Sequence, residues 1–462
     1  MGDIVRLVER LKRRPSMTRL LLEESLDSFE AVGAWFLTIF CLAVMGITVH
    51  LMTSRAPVLF YLLVTYATAL SLVLTSPFHT LFTRHMADKV YLGTFHDIVN
   101  SLMTLTILVT LLALLLAAVM VVPFSSIDLN LKITFIGLTA VLSLFWCIGT
   151  VLSSVRRERL LLKLFGLGMG TTLILFGATR MTETQALLLF FSIGVAIPVA
   201  GGYSYVVKLY LRTGVRLDDA FLKRPRARRI GLSAFLFMFG FWVDKIIFWF
   251  HPATGESVDG VFHFYGEYDF PFFVALTVMM VGSLIIYKGI KRSINGPYER
   301  FIFKLSNNFP FRDLAVEKER LFGGIAQTSS SLFLFYGGAC MLVLFLVYIG
   351  IVPIPWSNPF VFHYLLTGTI FFSLYFFYFL IIQYLDEYGL LLRLNGLFCL
   401  LNAVFTLLSI EAGWRFHGTG FLAASFTAAA AGFFLVNRTV GGLEYQVFRR
   451  ASDLRQGSVE TG

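Results

Sequence analysis

The chain has 462 residues, of which 57% are hydrophobic and only 14% are charged, and its mean hydropathy is +0.77. This composition is far more apolar than that of a soluble globular protein and indicates a membrane protein. The apolar residues occur in blocks of about 20, the length that an α-helix needs to cross a bilayer. The sequence lacks the short alternating segments of a membrane β-barrel. We therefore predict an all-α integral membrane protein.

Cysteine and histidine usage gives no sign of a metal centre or of catalysis. The cysteines Cys41, Cys147, Cys340 and Cys399 each lie in an apolar block without paired spacing, which argues against disulfides and metal binding. The eight histidines are scattered without an HExxH pattern, and no GxSxG, P-loop or DxD-type nucleotide-sugar motif occurs. We predict no catalytic residue, no metal and no cofactor, and a protein that is not an enzyme.

Residues 1–30 are predicted to form a cytoplasmic amphipathic segment. The stretch VRLVERLKRR places Val5, Val8 and Leu11 opposite several arginines. That pattern is typical of a helix on an anionic membrane surface, and an ordinary solvated helix fits it equally well. The first apolar block begins only near Ala31 and lacks an A-x-A exit, so we expect it to remain as a transmembrane anchor.

About twelve spans are predicted from the apolar blocks along the chain. They run approximately from Ala31 to Leu51, Pro57 to Phe78, Val99 to Val121, Lys132 to Ser153, Leu164 to Thr179, Ala186 to Val207, Gly231 to Phe250, Pro271 to Tyr287, Gly323 to Tyr348, Pro359 to Leu385, Leu394 to Ile410, and Gly418 to Leu435.

The distribution of Lys and Arg between the spans predicts the orientation. With both termini on one side, the connections on that side hold 33 of the 38 Lys and Arg residues. The opposite connections hold only Arg55, Lys132, Arg180 and Arg415, and Lys245 lies within a span. This bias predicts that both termini lie in the cytoplasm. The net charge of +10 is mostly this topological signal and requires no nucleic acid partner.

The most basic connection divides the spans into two groups of six. A weak repeat accompanies the division, because SPFHTLFTR closes the second span and GPYERFIFK follows the eighth. Parallel repeats would produce this placement, and chance similarity of such short segments is the alternative. The predicted parts are an N-terminal six-helix lobe at 31–207, a basic cytoplasmic linker at 208–230, a C-terminal six-helix lobe at 231–437 and a cytoplasmic tail at 438–462.

Two connections of the second half are long. HPATGESVDGVFHFYGEYDF, between the seventh and eighth spans, is acidic and contains no Lys or Arg. Residues 288–321, between the eighth and ninth spans, are basic and long enough for an amphipathic helix. We expect residues 288–321 and the 208–229 linker to be docking surfaces for partner proteins, although topology alone would also explain their charge.

The seventh span contains two adjacent opposite charges, Asp244 and Lys245, in FWVDKIIFWF. If this helix begins near Gly231, Asp244 lies roughly 20 Å into a core of about 30 Å. Side chains of neighbouring helix residues point about 100° apart, so we expect each charge to meet a partner on another helix or a watery cavity unless Lys245 bends around. Ionisable groups at this depth indicate a functional site, and the alternative is a pair that only stabilises helix packing.

Other polar and aromatic residues at membrane depth extend this candidate pathway. Hydroxyl, amide and aromatic groups suit a sugar better than a small ion, while hydrogen bonding between helices explains each of them equally well. The small-residue run GTGFLAASFTAAAAG in the twelfth span indicates close helix packing. The substrate-pathway candidates are Asp244, Lys245, Trp242, Trp249, Glu267, Tyr268, Asp269, Tyr66, Gln327, Tyr375 and Asn402.

Three segments of the sequence resemble a known family. They are the linker running into RIGLSAFLFMFGFWVDKIIFWF, the outer loop ending in Tyr268 and Asp269, and TYATALSLVLTSPFHTLFTRHMADKVYLG in the second span and its exit. With two groups of six spans, the chain resembles the multidrug/oligosaccharidyl-lipid/polysaccharide (MOP) flippase superfamily. Within it, the chain is similar to the PelG family of Pel exopolysaccharide exporters, over nearly its whole length.

The resemblance implies a MOP flippase-like fold that moves a Pel-like, N-acetylhexosamine-rich polysaccharide from the cytoplasm through a cavity between the two lobes. It also implies a cytosolic PelF-like glycosyltransferase and membrane partners similar to PelD and PelE, one of which senses cyclic di-GMP. The first and seventh helices line the cavity in this superfamily, which would place Asp244 and Lys245 beside the path. The first span has no matching charge, so any ion site would be asymmetric.

Alternative functions remain open from the sequence. Within transport, a lipid-linked oligosaccharide flippase or a cation-coupled drug antiporter of the same superfamily has the same layout. From another class, a membrane scaffold that organises a polysaccharide synthase without transporting anything would show the same spans.

Overall fold

The computed structural model describes residues 17–54, 57–91, 97–155, 157–210, 216–224, 226–258, 260–351 and 358–445. The predicted surface helix in VRLVERLKRR lies outside these residues, as do parts of the predicted linker and tail. The described helices are α1 (Met17–Thr53), α2 (Val58–Tyr91), α3 (Asp97–Val121), α4 (Leu129–Ser154), α5 (Glu158–Thr179), α6 (Thr184–Tyr210), α7 (Ala227–Phe250), α8 (Gly266–Gly289), α9 (Asn295–Ser306), α10 (Phe311–Ser331), α11 (Gly337–Tyr348), α12 (Pro359–Tyr384), α13 (Tyr388–Ala412) and α14 (Thr419–Gly441).

Short elements of three other kinds accompany the α-helices, one of them a 3₁₀ turn at Trp414–Phe416 before α14. A β-hairpin of β1 (Glu256–Val258) and β2 (Phe262–Phe264) pairs antiparallel with Ser257 opposite His263. π-helical turns at Ile290–Ile294 and Leu332–Tyr336 connect α8 to α9 and α10 to α11. The hairpin is not apparent in the sequence of the acidic outer loop, because the hydrophobic residues of this loop are few and do not alternate over a full strand length.

Twelve helical segments in the described part of the chain are long and apolar enough to cross a membrane, which confirms the predicted all-α membrane fold. The ninth segment combines α10, a π-helical turn and α11. Several helices extend further than predicted, most of all three: α1 begins at Met17 rather than near Ala31, α2 continues past Phe78 to Tyr91, and α10 begins at Phe311 rather than near Gly323. Hydropathy detects only the apolar part of such helices, and the polar turns are stabilised by ion pairs that the sequence does not reveal.

The chain divides into two compact units. Among the described residues, the first contains those up to Gly231 together with Glu256–Phe264, and the second contains Leu232–Gly255 and the residues from Tyr265 onward. The β-hairpin therefore belongs to the first unit, although in sequence it lies between α7 and α8. There, the Tyr66 hydroxyl on α2 donates to the His263 carbonyl (2.8 Å) and accepts from the His263 N–H (3.1 Å).

In the first unit, the described part of the basic linker is bound to the ends of α2 and α3. The Ser101 hydroxyl donates to the Asp218 carboxylate (2.6 Å), and the Asp218 N–H donates to Thr104 (2.8 Å). Phe221 is fully buried nearby, against Phe82. Desolvation raises the pKa of the Asp218 carboxyl, but the hydrogen bonds and nearby cations outweigh it and hold this pKa below its usual range. The linker is therefore an integral part of this unit.

Small residues permit close helix packing in both units. A Cβ atom added at Gly420 would lie 2.6 Å from the backbone nitrogen of Thr406, so α13 and α14 approach at backbone distance. Ala424, Ser425 and Ala428 on the same helix are fully buried. These contacts confirm the packing role predicted for GTGFLAASFTAAAAG.

Gly168 in the first unit provides a test of this packing. A Cβ atom at Gly168 would lie 2.1 Å from the carbonyl oxygen of Gly194, whereas one at Gly170 on the same helix would meet nothing within 4 Å. We expect Gly168→Ala to destabilise the protein by about 1–3 kcal/mol, because α5 and α6 must separate. Gly170→Ala is the matched control and should leave the melting temperature unchanged or higher. Equal melting temperatures for the two variants in thermal unfolding of detergent-solubilised protein would contradict this packing.

Candidate functional site

A buried ion pair lies on α7 in the second unit. The Lys245 ammonium is 2.9 Å from Asp244 Oδ1 and 3.0 Å from Oδ2, and it also donates to the Phe241 carbonyl at 2.8 Å. Asp244 is 0% exposed and Lys245 is 2% exposed. The two charges therefore neutralise each other inside the unit, away from lipid and from bulk water.

This arrangement differs from the sequence expectation that each charge would meet a separate partner. The Lys245 side chain bends back towards the N-terminal end of its helix, which is the direction that Cα–Cβ bonds favour in helices. Its four methylene groups provide the reach that the 100° separation requires. The length of the lysine side chain allows Lys245 to bend back to Asp244. Whether it does so or pairs with a group on another helix depends on the surrounding side chains, which the sequence does not specify.

Aromatic rings surround the ammonium group. Lys245 Nζ is 3.4 Å from the ring centroid of Phe272, 4.7 Å from that of Phe241 and 5.5 Å from that of Phe421. Ring faces attract a desolvated cation, by about 2 kcal/mol or more in such surroundings. They also exclude water, so they increase the cost of separating Lys245 from Asp244.

The beginning of α8 supplies the remaining partners. The Tyr268 hydroxyl donates a short hydrogen bond to Asp244 Oδ2. One residue later, Asp269 accepts from the Trp249 indole (2.9 and 3.1 Å) and from the Tyr265 N–H (2.9 Å). The two carboxylates thus join α7 to α8 at two successive levels. Trp249, Tyr268 and Asp269, three of the predicted pathway residues, therefore lie together with the ion pair.

Trp242 has a different environment from Trp249. Its ring lies 6.3 Å from the Trp249 ring, and it is half-buried. Its indole N–H is buried and has no hydrogen-bond partner among the described residues. Trp249 donates to Asp269 instead, so only one of the two indoles is part of the polar network.

The other predicted pathway residues of the second unit occupy separate positions. Tyr375 donates to Asn395 (2.8 Å), whose amide donates to Ser233, and the Asn402 amide donates to the Gly240 carbonyl (2.9 Å). These are contacts between helices in the core. Glu267 accepts from the Asn358 N–H (3.1 Å) at the start of α12. Gln327 on α10 is exposed.

Sequence reasoning missed the aromatic rings around Lys245. Phe272 lies four residues after Tyr268, on the same face of a helix, so its proximity to the ion pair could have been inferred from spacing. Phe421 lies far along the chain, and only the packing of α14 brings it to this site. Within the described residues, no group of three or more His, Cys, Asp and Glu residues could hold a metal ion.

Removal of one charge tests whether the pair stabilises the unit. Lys245→Met keeps the apolar stem but strands a buried carboxylate, and we expect it to cost about 3–5 kcal/mol. The double variant Asp244→Leu with Lys245→Met removes both charges and should recover most of the lost membrane abundance and thermal stability. Lys288→Met, at an exposed lysine on α8, is the matched control. A double variant as unstable as the single one would show that the loss of stability does not come from the stranded carboxylate.

Comparisons with solved structures show the fold. An outward-facing multidrug resistance MATE family transporter of the MOP superfamily is 13% identical, with a TM-score of 0.57 over 95% of this chain and 98% of that chain. MATE in the straight conformation is 13% identical, with a TM-score of 0.56 over 90% and 95% of the respective chains. MATE in the bent conformation is 14% identical, with a TM-score of 0.53 over 95% and 98%. The chain therefore has the fold of the MOP transporters.

The family comparison covers almost the entire sequence. No curated protein sequence matches the chain significantly. A family model does match: PelG, described as "Putative exopolysaccharide Exporter (EPS-E)", over residues 10–448. The family and the fold are those of multi-pass membrane transporters and not of enzymes. The chain belongs to the PelG family of exopolysaccharide exporters.

Proposed function

We propose that this protein moves a Pel-like, N-acetylhexosamine-rich polysaccharide from the cytoplasm across the bacterial inner membrane. The observation that carries the proposal is the family match over residues 10–448, which includes all twelve candidate spans. The absence of a net charge at the buried Asp244–Lys245 pair agrees with a neutral or weakly charged cargo rather than with a small ion.

The pathway is proposed to pass between the two six-helix lobes and to use neutral polar groups. Gln327 and Ser330 support it, because both are exposed and lie three residues apart on one face of α10. Polar side chains at membrane depth avoid lipid and mark water-filled paths. Trp242 is a further candidate, since its ring is half-buried and its buried indole N–H has no hydrogen-bond partner among the described residues. Asp244 and Lys245 would then hold α7 and α8 in position beside this path.

The proposed orientation places both termini in the cytoplasm. It is supported by the 33 Lys and Arg residues on one side against four on the other. In this orientation the β-hairpin lies on the outer side, and α9 and the linker lie on the inner side. Export would therefore begin at the side where a cytosolic glycosyltransferase has access.

A PelF-like glycosyltransferase and PelD- and PelE-like membrane proteins are the proposed partners. Among the linker residues, Arg228 and Arg229 are the strongest docking candidates, because both are exposed and no carboxylate pairs with them in the described part of the chain. Residues 216–224, in contrast, are bound within the first unit. Docking would thus use the end of the linker that leads into α7.

Replacement of Arg228 and Arg229 by Gln tests this surface. We expect the glycosyltransferase to co-purify several-fold less with the double variant, because a rim of unpaired cations supplies electrostatic steering. Protein abundance in the membrane should not change. Arg393→Gln, at an exposed base near the start of α13, is the matched control. If the glycosyltransferase co-purified equally well with the double variant, the linker would not be part of the docking surface.

Deletion of the gene tests export itself. We expect surface polysaccharide to disappear while polymer or its precursors remain in the cytosol, because synthesis continues without an exit. Complementation with the wild-type gene is the control. Normal polysaccharide together with increased drug sensitivity would indicate a drug antiporter, and loss of both surface and cytosolic polymer would indicate a synthase scaffold. Accumulated lipid-linked oligosaccharide would indicate a flippase. Each of these three results would overturn the proposed function.

A further inference from the structure

A compact cluster of cations lies where α9 packs against α10. The carboxylate of Glu317 on α10 is 3.0 Å from Arg300 Nε, 2.9 Å from Lys304 Nζ and 2.8 Å from Arg320 Nη1. The Glu317 side chain is only 1% exposed, whereas those of Arg300 and Arg320 are 50% and 57% exposed. One carboxylate meets three cations, so the cluster has a net charge of +2, and its two guanidinium groups face outward.

Exposed aromatic side chains accompany these cations. Phe303, Phe309 and Phe311 are 60%, 43% and 67% exposed, and the rings of Phe303 and Phe309 lie 6.4 Å apart. Phe301, in contrast, is 1% exposed, so α9 packs against the protein through one face. Phe303 is two residues further along and therefore points to the opposite side. A short helix with exposed aromatic rings beside cations is the pattern of a helix at a membrane interface.

Two contacts fix the depth of the cluster in the membrane. The Tyr298 ring lies 4.9 Å from the ring of Tyr384, the last residue of α12. Lys318 Nζ donates to the carbonyl of Gly441, the last residue of α14, at 2.9 Å. Tyr298 lies two residues before Arg300, and Lys318 directly follows Glu317. Because two spans end at this level, the guanidinium groups lie at the depth of the lipid headgroups.

We propose that Arg300 and Arg320 bind the phosphate of an anionic phospholipid, while Phe303, Phe309 and Phe311 contact the adjoining interfacial region of the bilayer. Guanidinium groups match phosphate oxygens in bidentate geometry. Residues 288–320 contain eight Lys and Arg against four Asp and Glu residues, so the surrounding field also favours an anion. The site would anchor the α9–α10 junction to the bilayer. This inference is independent of the proposed export function.

A tryptophan reporter can detect the lipid directly. Full-length Phe303→Trp protein is reconstituted in nanodiscs of phosphatidylcholine with one-third phosphatidylglycerol. The bromine atoms are carried either by the phosphatidylglycerol or by an equal amount of the phosphatidylcholine. The fluorescence of the parent protein is subtracted. We expect brominated phosphatidylglycerol to quench the reporter several-fold more than brominated phosphatidylcholine. Phe345→Trp is the matched control, because Phe345 is 57% exposed on α11 and remote from the cluster, and its quenching should not distinguish the two lipids.

Charge variants identify the ligand groups. In the Phe303→Trp background, Arg300→Gln with Arg320→Gln leaves Lys304 to pair with Glu317. We expect this double variant to lose the several-fold preference for phosphatidylglycerol, because each base at an anionic membrane surface contributes about fivefold. Arg393→Gln with Arg438→Gln removes the same charge elsewhere and should leave the preference unchanged.

Two results would overturn the lipid site. Equal quenching of the Phe303→Trp reporter by both brominated lipids would show contact with the bilayer but no selection of an anionic headgroup. Absence of quenching by either lipid would show that this face stands in water, and a soluble protein partner would then be its occupant. Thermal unfolding of each variant in the same nanodiscs establishes that the protein is folded when the quenching is compared.

Discussion

The structure depends on one constraint: hydrocarbon offers polar groups no hydrogen-bond partner, so they must find partners within the protein. In the second unit, Asp244 and Lys245 satisfy this requirement by pairing on the same helix, with Tyr268 completing the carboxylate. Tyr375 and Asn395 satisfy it through a series of hydrogen bonds between uncharged side chains that ends at Ser233. The first solution joins the consecutive helices α7 and α8, and the second joins α12 and α13 to α7, which is distant in sequence. Polar residues in the spans therefore determine which helices are neighbours, a task that apolar side chains perform poorly in lipid.

Charges at the ends of the spans act differently from those within them. Glu317 pairs with three cations, and Asp218 accepts a hydrogen bond from Ser101 near the start of α3. Each carboxylate thereby attaches part of a basic connection to its own unit. Water and headgroups are available at this level, and an excess of cations is tolerated there. Acidic and basic residues thus neutralise each other within the spans, whereas at the ends of the spans they leave a net positive charge. This contrast explains how a chain with a net charge of +10 keeps its transmembrane core electrically neutral.

The solved MATE structures share this fold at about 13% identity, which shows how little of the sequence the fold requires. A fold alone does not establish a substrate, because function depends on the groups that line a site. In this chain Asp244 is paired with Lys245 and Tyr268, and Asp269 accepts from Trp249, while the Trp242 indole has no partner among the described residues. The family match rests on the sequence rather than on the fold.

The sequence by itself determined the number of spans, because hydropathy reports the cost of placing each segment in hydrocarbon. It also drew attention to Asp244 and Lys245, since charges at membrane depth stand out in any apolar block, whereas Tyr268 and Asp269 were pointed to by the family resemblance. Only the tertiary structure decided that Lys245 bends back to Asp244 among three phenylalanine rings, because this depends on packing between α7, α8 and α14. The β-hairpin and the Glu317 cluster were likewise invisible in hydropathy. The hairpin is held by Tyr66, which is distant in sequence, and the cluster forms because α9 packs against α10. A one-dimensional pattern of apolar residues does not encode such contacts.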